Sequence, residues 1–133
     1  MAHALHGYDG LCRHIHGHSY RLDVTVLGVP IADTKSVKLG MVMDFGDLKQ
    51  IVRKVVVEPF DHSLVLNKEA RIQHDTEMFG RVICVDYQPT SENMIVDFAE
   101  KIKALLPAEV KLHNLRLYET ANSYAEWFAS DNE

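Results

Sequence analysis

The chain has 133 residues, 47% of them hydrophobic, enough for one domain with a real core and too few for two. Its 14 Lys and Arg face 19 Asp and Glu, a formal net charge of -5 with no basic block, so the footprint of a nucleic-acid protein is missing. No apolar run is long enough to span a bilayer and no charged-then-apolar leader opens the chain, so a cytoplasmic protein without membrane or nucleic-acid partners is expected.

The first chemically loaded segment is Cys12-Arg13-His14-Ile15-His16-Gly17-His18. It runs into an alternating stretch, so a strand is predicted over 17–28, and in extended chain His16 and His18 point the same way. Two neutral imidazoles on one face, joined by a third ligand, suit a catalytic Zn(II) that keeps an open position. The spacing leaves His3, His6, His14 or a remote residue as that third ligand. Cys12 reads as a buried small hydrophobe, a fourth ligand closing a structural site, or a reactive thiolate; an open metal beside a reactive thiol is preferred. The other cysteine, Cys84, lies in Val82-Ile83-Cys84-Val85 and reads as core filler.

Residues 29–38, with Pro30 and Asp33, read as a hairpin connection into a second strand over 39–45. The period then becomes helical, with Leu48, Ile51, Val52, Val55 and Val56 on one stripe, Asp44 or Gly46 near the start and Pro59 closing it. Asp61-His62 follows. A carboxylate can orient an imidazole for acid-base work, but adjacent residues usually point apart, and a turn is an equal reading.

Residues 67–80 are polar and are expected to form a loop, with a short strand over 81–87. Thr90-Ser91 precede Met94, Ile95, Phe98, Ile102 and Leu105, a hydroxyl cap on an amphipathic helix that Pro107 ends. Strands over 111–119 and 123–128 finish the chain. Glu119 ends the first of them, where a carboxylate held in a pocket can accept two N–H donors from an amidine-like ring edge.

The order strand, strand, helix, helix, strand, strand predicts an α+β domain over 1–133, with a four-stranded antiparallel sheet and two helices on one face. Its free sheet edges call for a homo-oligomer that pairs them.

Taken in order, these pieces resemble the zinc-dependent family of 6-pyruvoyl- and 6-carboxy-tetrahydropterin synthases. The matching segments are Ala2-His3-Ala4-Leu5, Cys12 through Tyr20 as C-x3-H-G-H-S-Y, Met43-Asp44-Phe45-Gly46-Asp47-Leu48, Phe60-Asp61-His62-Ser63-Leu64, Pro89-Thr90-Ser91-Glu92-Asn93, and Glu119-Thr120 ahead of Ser123-Tyr124. The resemblance implies the tunnelling fold, with trimers whose sheets close into a barrel and two trimers stacked as a homohexamer. It implies a zinc triad of His3, His16 and His18, with Cys12 as catalytic thiol and Asp61 and His62 as the acid-base pair. Glu119 matches the pterin anchor, and Thr90, Ser91 and Glu92 match the lining of the pterin pocket.

Three residues between Cys12 and His16 resemble the bacterial carboxy type of the queuosine and deazapurine pathway. A related branch replaces this cysteine by glutamate. The implied reaction converts 7,8-dihydroneopterin triphosphate to 6-carboxy-tetrahydropterin, acetaldehyde and triphosphate. The alternatives are pyruvoyl-tetrahydropterin synthesis on the same site and a catalytically silent zinc- or pterin-binding homologue.

Overall fold

Two sheets carry the fold in the computed structural model, which describes residues 1–70 and 76–133. One is antiparallel, made of β3 (Arg21–Leu27), β6 (Lys111–Thr120) and β7 (Ser123–Phe128) in that order. The other is mixed. There β1 (Ala2–Ala4) lies between an antiparallel β2 (His16–Gly17) and a parallel β4 (Ser63–Asn67), and β4 pairs in parallel with β5 (Arg81–Val85).

The expected four-stranded antiparallel sheet is therefore corrected to two sheets within an α+β fold, for two physical reasons. Residues 39–45 do not form a strand. Ile31 and Gly40–Met41 exchange only two backbone hydrogen bonds, Gly40 turns the chain at φ 82, and Asp44 leaves at once into a helix. Second, Leu64, Val65 and Leu66 are all buried, so β4 lacks the alternation that marks a strand with one solvated face. The strand expected over 17–28 is also shorter, since Gly17 pairs with Ala2 in the mixed sheet and β3 begins at Arg21.

Helix α1 (Phe45–Val52) starts where Asp44 accepts the Gly46 N–H at 2.6 Å. It continues through a π-helical turn, Arg53–Val57, into α2 (Glu58–Phe60). The wider turn lies just ahead of Pro59, which has no N–H and whose ring would crowd the Val55 carbonyl in a regular turn. Within the stretch expected as a loop, α3 (Thr76–Phe79) is a single turn, and 71–75 lie outside the described residues. Helix α4 (Ser91–Lys103) is capped by Thr90, which accepts from the Asn93 N–H at 3.3 Å.

Both helical segments cover one face of the antiparallel sheet. Met94, Ile95, Phe98, Ala99 and Ile102 of α4, with Val56 and Phe60, pack on Leu112, Leu115, Leu117, Ala125 and Trp127. Phe60 and Phe98 meet edge to face at 5.0 Å. Cys84 is exposed rather than core filler: β5 is an edge strand, and the small cluster of Ala4, Leu64 and Leu66 that reaches Val82 does not include it. Among the described residues no helix is long and apolar enough to cross a membrane.

Candidate metal centre

Strand register builds the centre. His3 of β1 is directly opposite His16 of β2, which brings their ring centroids to 4.5 Å. His18, two residues on, joins them at ring centroids of 5.0 Å from His16 and 5.5 Å from His3. One nitrogen from each of the three lies within 4.8 Å of the others. His16 and His18 thus converge as the alternation predicts, although His18 stands outside a strand.

The hydrogen bonds behind the rings decide which nitrogens face inward. A carbonyl only accepts, so His3 donates from Nδ1 to the Pro89 carbonyl at 2.6 Å and His16 donates from Nδ1 to the His14 carbonyl at 2.7 Å. In the neutral rings this turns both Nε2 lone pairs toward each other, 3.0 Å apart. Two lone pairs at that distance repel unless a cation lies between them. His18 Nε2 is buried with no hydrogen-bond partner. His3, 2% exposed, is pushed below its ordinary pKa of 6.5, chiefly by burial, which favours the neutral form that ligates. The donor set fits a metal ion, and His3, His16 and His18 can hold one.

Beside the triad stands Glu119. The pairing of β6 with β7 shifts between Tyr118 and Thr120, so Glu119 sits at a bulge, which re-aims a side chain at a strand end. Its parity with the buried Leu115 and Leu117 turns it to the helix side of the sheet. Glu119 Oε1 lies 3.2 Å from His3 Nε2 and 3.5 Å from His18 Nε2. The Tyr20 hydroxyl lies 3.3 Å from the same oxygen, and burial, then the Glu119 charge, pushes its phenol far above the ordinary range, so the proton stays.

A cavity of about 270 Å³ gathers His3, Cys12, Thr90, Ser91, Glu92 and Glu119, walled in part by Tyr8 and Tyr124. The buried Ser91 hydroxyl has no hydrogen-bond partner, and so is available to a ligand there. Cys12 is exposed on a 3-10 turn, Leu11–Arg13. Asp61 and His62 line a different cavity, of about 460 Å³, which also touches Tyr20 and reaches the triad at His18. These two adjacent side chains do meet, His62 Nδ1 to Asp61 Oδ1 at 3.1 Å, because His62 takes a left-handed backbone with φ 56.

Sequence reasoning passed over three groups that shape this region. Tyr20 shares the i, i+2 parity of His16 and His18, a signal that could have marked it. The Pro89 carbonyl leaves no trace in residue type. Gln88 takes the His6 N–H at 3.0 Å and donates to the His6 carbonyl at 2.7 Å, holding the loop that leads to Cys12.

Comparison with known proteins gives a consistent answer. The family model described as 6-pyruvoyl tetrahydropterin synthase matches residues 1–130. A Haemophilus influenzae protein named 6-carboxy-5,6,7,8-tetrahydropterin synthase is 33% identical over 132 residues, covering 96% of this chain and 91% of its own length. A Rickettsia felis protein of the same name is 36% identical over 129 residues, with 93% and 90% covered. The crystal structure of 6-pyruvoyl tetrahydropterin synthase from Plasmodium vivax superposes with a TM-score of 0.72 over 95% of this chain and 87% of that one; at 18% identity this shows the shared fold.

Proposed function

The chain belongs to the 6-pyruvoyl tetrahydropterin synthase family, whose members act on pterins, and we propose that it is a zinc-dependent 6-carboxy-tetrahydropterin synthase. The substrates in this proposal are 7,8-dihydroneopterin triphosphate and one water, and the products are 6-carboxy-tetrahydropterin, acetaldehyde and triphosphate, on the route to queuosine. The convergence of His3, His16 and His18 beside a cavity shared by Cys12 and Glu119 carries this reading. The names of the two bacterial relatives and the three-residue gap between Cys12 and His16 favour the carboxy product over the pyruvoyl one.

Zinc, when bound, supplies a Lewis acid that polarises side-chain hydroxyls of the substrate and acidifies their neighbours. Glu119 accepts N–H donors from the pterin ring, and Ser91 offers its unpartnered hydroxyl, with Thr90 and Glu92 completing the wall. Cys12, as thiolate, takes a proton from the side chain on the His3 side. On the His18 side Asp61 keeps the His62 proton on Nδ1, which leaves Nε2 to accept and return a proton as triphosphate leaves. Holding the ring and the tail against fixed groups is the larger part of the rate effect.

The free edges of β3 and β7 extend the proposal to a ring of copies, and to a homohexamer of two trimers, which light scattering measures directly. Mass analysis of the pterin formed by zinc-loaded protein from dihydroneopterin triphosphate, with an assay for acetaldehyde, tests the activity. Acetaldehyde with the carboxy product supports it. A pyruvoyl product moves the assignment to the sister reaction, and no turnover with one zinc per chain rejects an enzyme.

A further inference from the structure

Tyr20 has one hydroxyl hydrogen and two acceptors in reach. Its oxygen lies 3.3 Å from His3 Nε2 and 3.3 Å from Glu119 Oε1. His3 Nε2 accepts because the other ring nitrogen is committed to the Pro89 carbonyl. A metal ion held by the triad takes that lone pair, and of the two acceptors Glu119 alone remains.

We propose that Tyr20 is a positioning residue that couples the metal centre to the ring anchor: metal loading commits its hydroxyl to Glu119, which fixes Oε1 and leaves Oε2 to receive the ring. The inference rests on the reading of Glu119 as the pterin anchor and adds a linkage between two subsites of that pocket. Metal then raises affinity for the pterin ring without touching it, and by reciprocity the ring raises affinity for metal.

The surroundings of Tyr20 support this role. Its ring stands edge-on to His3 at 6.1 Å and 84° and to His18 at 5.6 Å and 85°, so it cannot swing without disturbing two ligands. Tyr20 is the residue before β3, whose Arg21 pairs with Tyr118, so the next step of that register brings Tyr20 alongside Glu119. Glu119 itself lies at a bulge with no register partner in β7, so the ladder gives its side chain a face but not a fixed direction. Its Oε1 also stands 3.2 Å from His3 Nε2, so a carboxylate released by Tyr20 has the metal as a competing partner.

The test uses pterin itself, a ring with no side-chain hydroxyls to reach the metal. Its dissociation constant is measured by fluorescence in zinc-loaded and chelator-treated protein, for the wild type, Tyr20→Phe and Glu119→Gln. The phenylalanine keeps the ring packed against the imidazoles, and zinc content per chain is measured alongside.

The expected result is a wild-type affinity roughly five- to tenfold tighter with zinc than without, a ratio near one in both variants, and wild-type zinc content in Tyr20→Phe. A Tyr20→Phe protein that keeps the wild-type ratio overturns the coupling. So does a wild type that binds pterin equally with and without zinc, although the anchor then stands. A Tyr20→Phe protein that no longer loads zinc makes Tyr20 part of the metal centre and likewise ends the proposal. Absence of pterin binding in every form removes the anchor reading, and the coupling with it.

Discussion

The Nε2 atoms of His3 and His16 stand 3.0 Å apart, each ring held from behind by a backbone carbonyl. The arrangement places two acceptors face to face, which a shared metal ion satisfies. Replacing either histidine by alanine is therefore expected to lower zinc affinity by more than the roughly 10- to 100-fold that losing a ligand's hydrogen-bond partner costs. Competition against a chromophoric chelator measures it, and a variant with unchanged affinity refutes the triad.

Acid should weaken the metal-free protein through His3. Burial, against the opposing hydrogen bond to Pro89, holds its pKa below 6.5, the value it regains on unfolding. Between the two values the unfolded chain binds more protons, so stability is intact above 6.5 and falls as pH drops from there toward the lowered value. Thermal melts of chelated protein across that window should show the decline, and His3→Asn should flatten it.

Cys12 lines the same cavity as His3 and Glu119 without belonging to the three-histidine group. Cys12→Ala is expected to retain one zinc per chain while turnover falls by roughly 10²–10⁴-fold, the usual contribution of a positioned acid or base. Zinc lost with the thiol would mark a structural site instead.

His62 combines a left-handed backbone at φ 56 with a side chain 93% exposed. A residue with a Cβ is disfavoured there by roughly 1–2 kcal/mol, and its exposed pair with Asp61 returns little. His62→Gly should thus raise stability by about 1 kcal/mol while turnover drops, as denaturant titration and rate measurement on one preparation would reveal. An unaltered rate removes His62 from the acid-base role.

Thr90 caps α4 and also lines the candidate pterin cavity. Thr90→Ala should cost about 1 kcal/mol of stability, and Thr90→Ser should recover most of it. Chemical denaturation decides between this and a purely pocket-lining role, for which the alanine variant leaves the midpoint in place.

How far the sequence reveals this molecule depends on whether a pattern is local. Asp44 and Thr90 announce their helices because a cap needs only its own next turn. His16 and His18 announce a shared target because alternation is local as well. His3 emerges from family resemblance and not from spacing, since what brings it in is pairing with His16 and Val65. The strand at Leu64, Val65 and Leu66 is silent because burial on both sides erases its period. Leu39 to Phe45 misleads in the opposite way: its apolar residues imitate a strand, while Gly40 and Asp44 bend the backbone into a turn and a cap.

The seat of β1 between a near neighbour and a distant parallel one has a kinetic consequence. His3, His16 and His18 can approach one another early, since His3 pairs directly with His16 across a short loop, whereas Val65 must be recruited to β1 from far along the chain, the slow kind of loop closure. Ion capture can therefore precede the docking of β4 and pin β1 against β2 while that closure is still to come, and zinc should speed refolding.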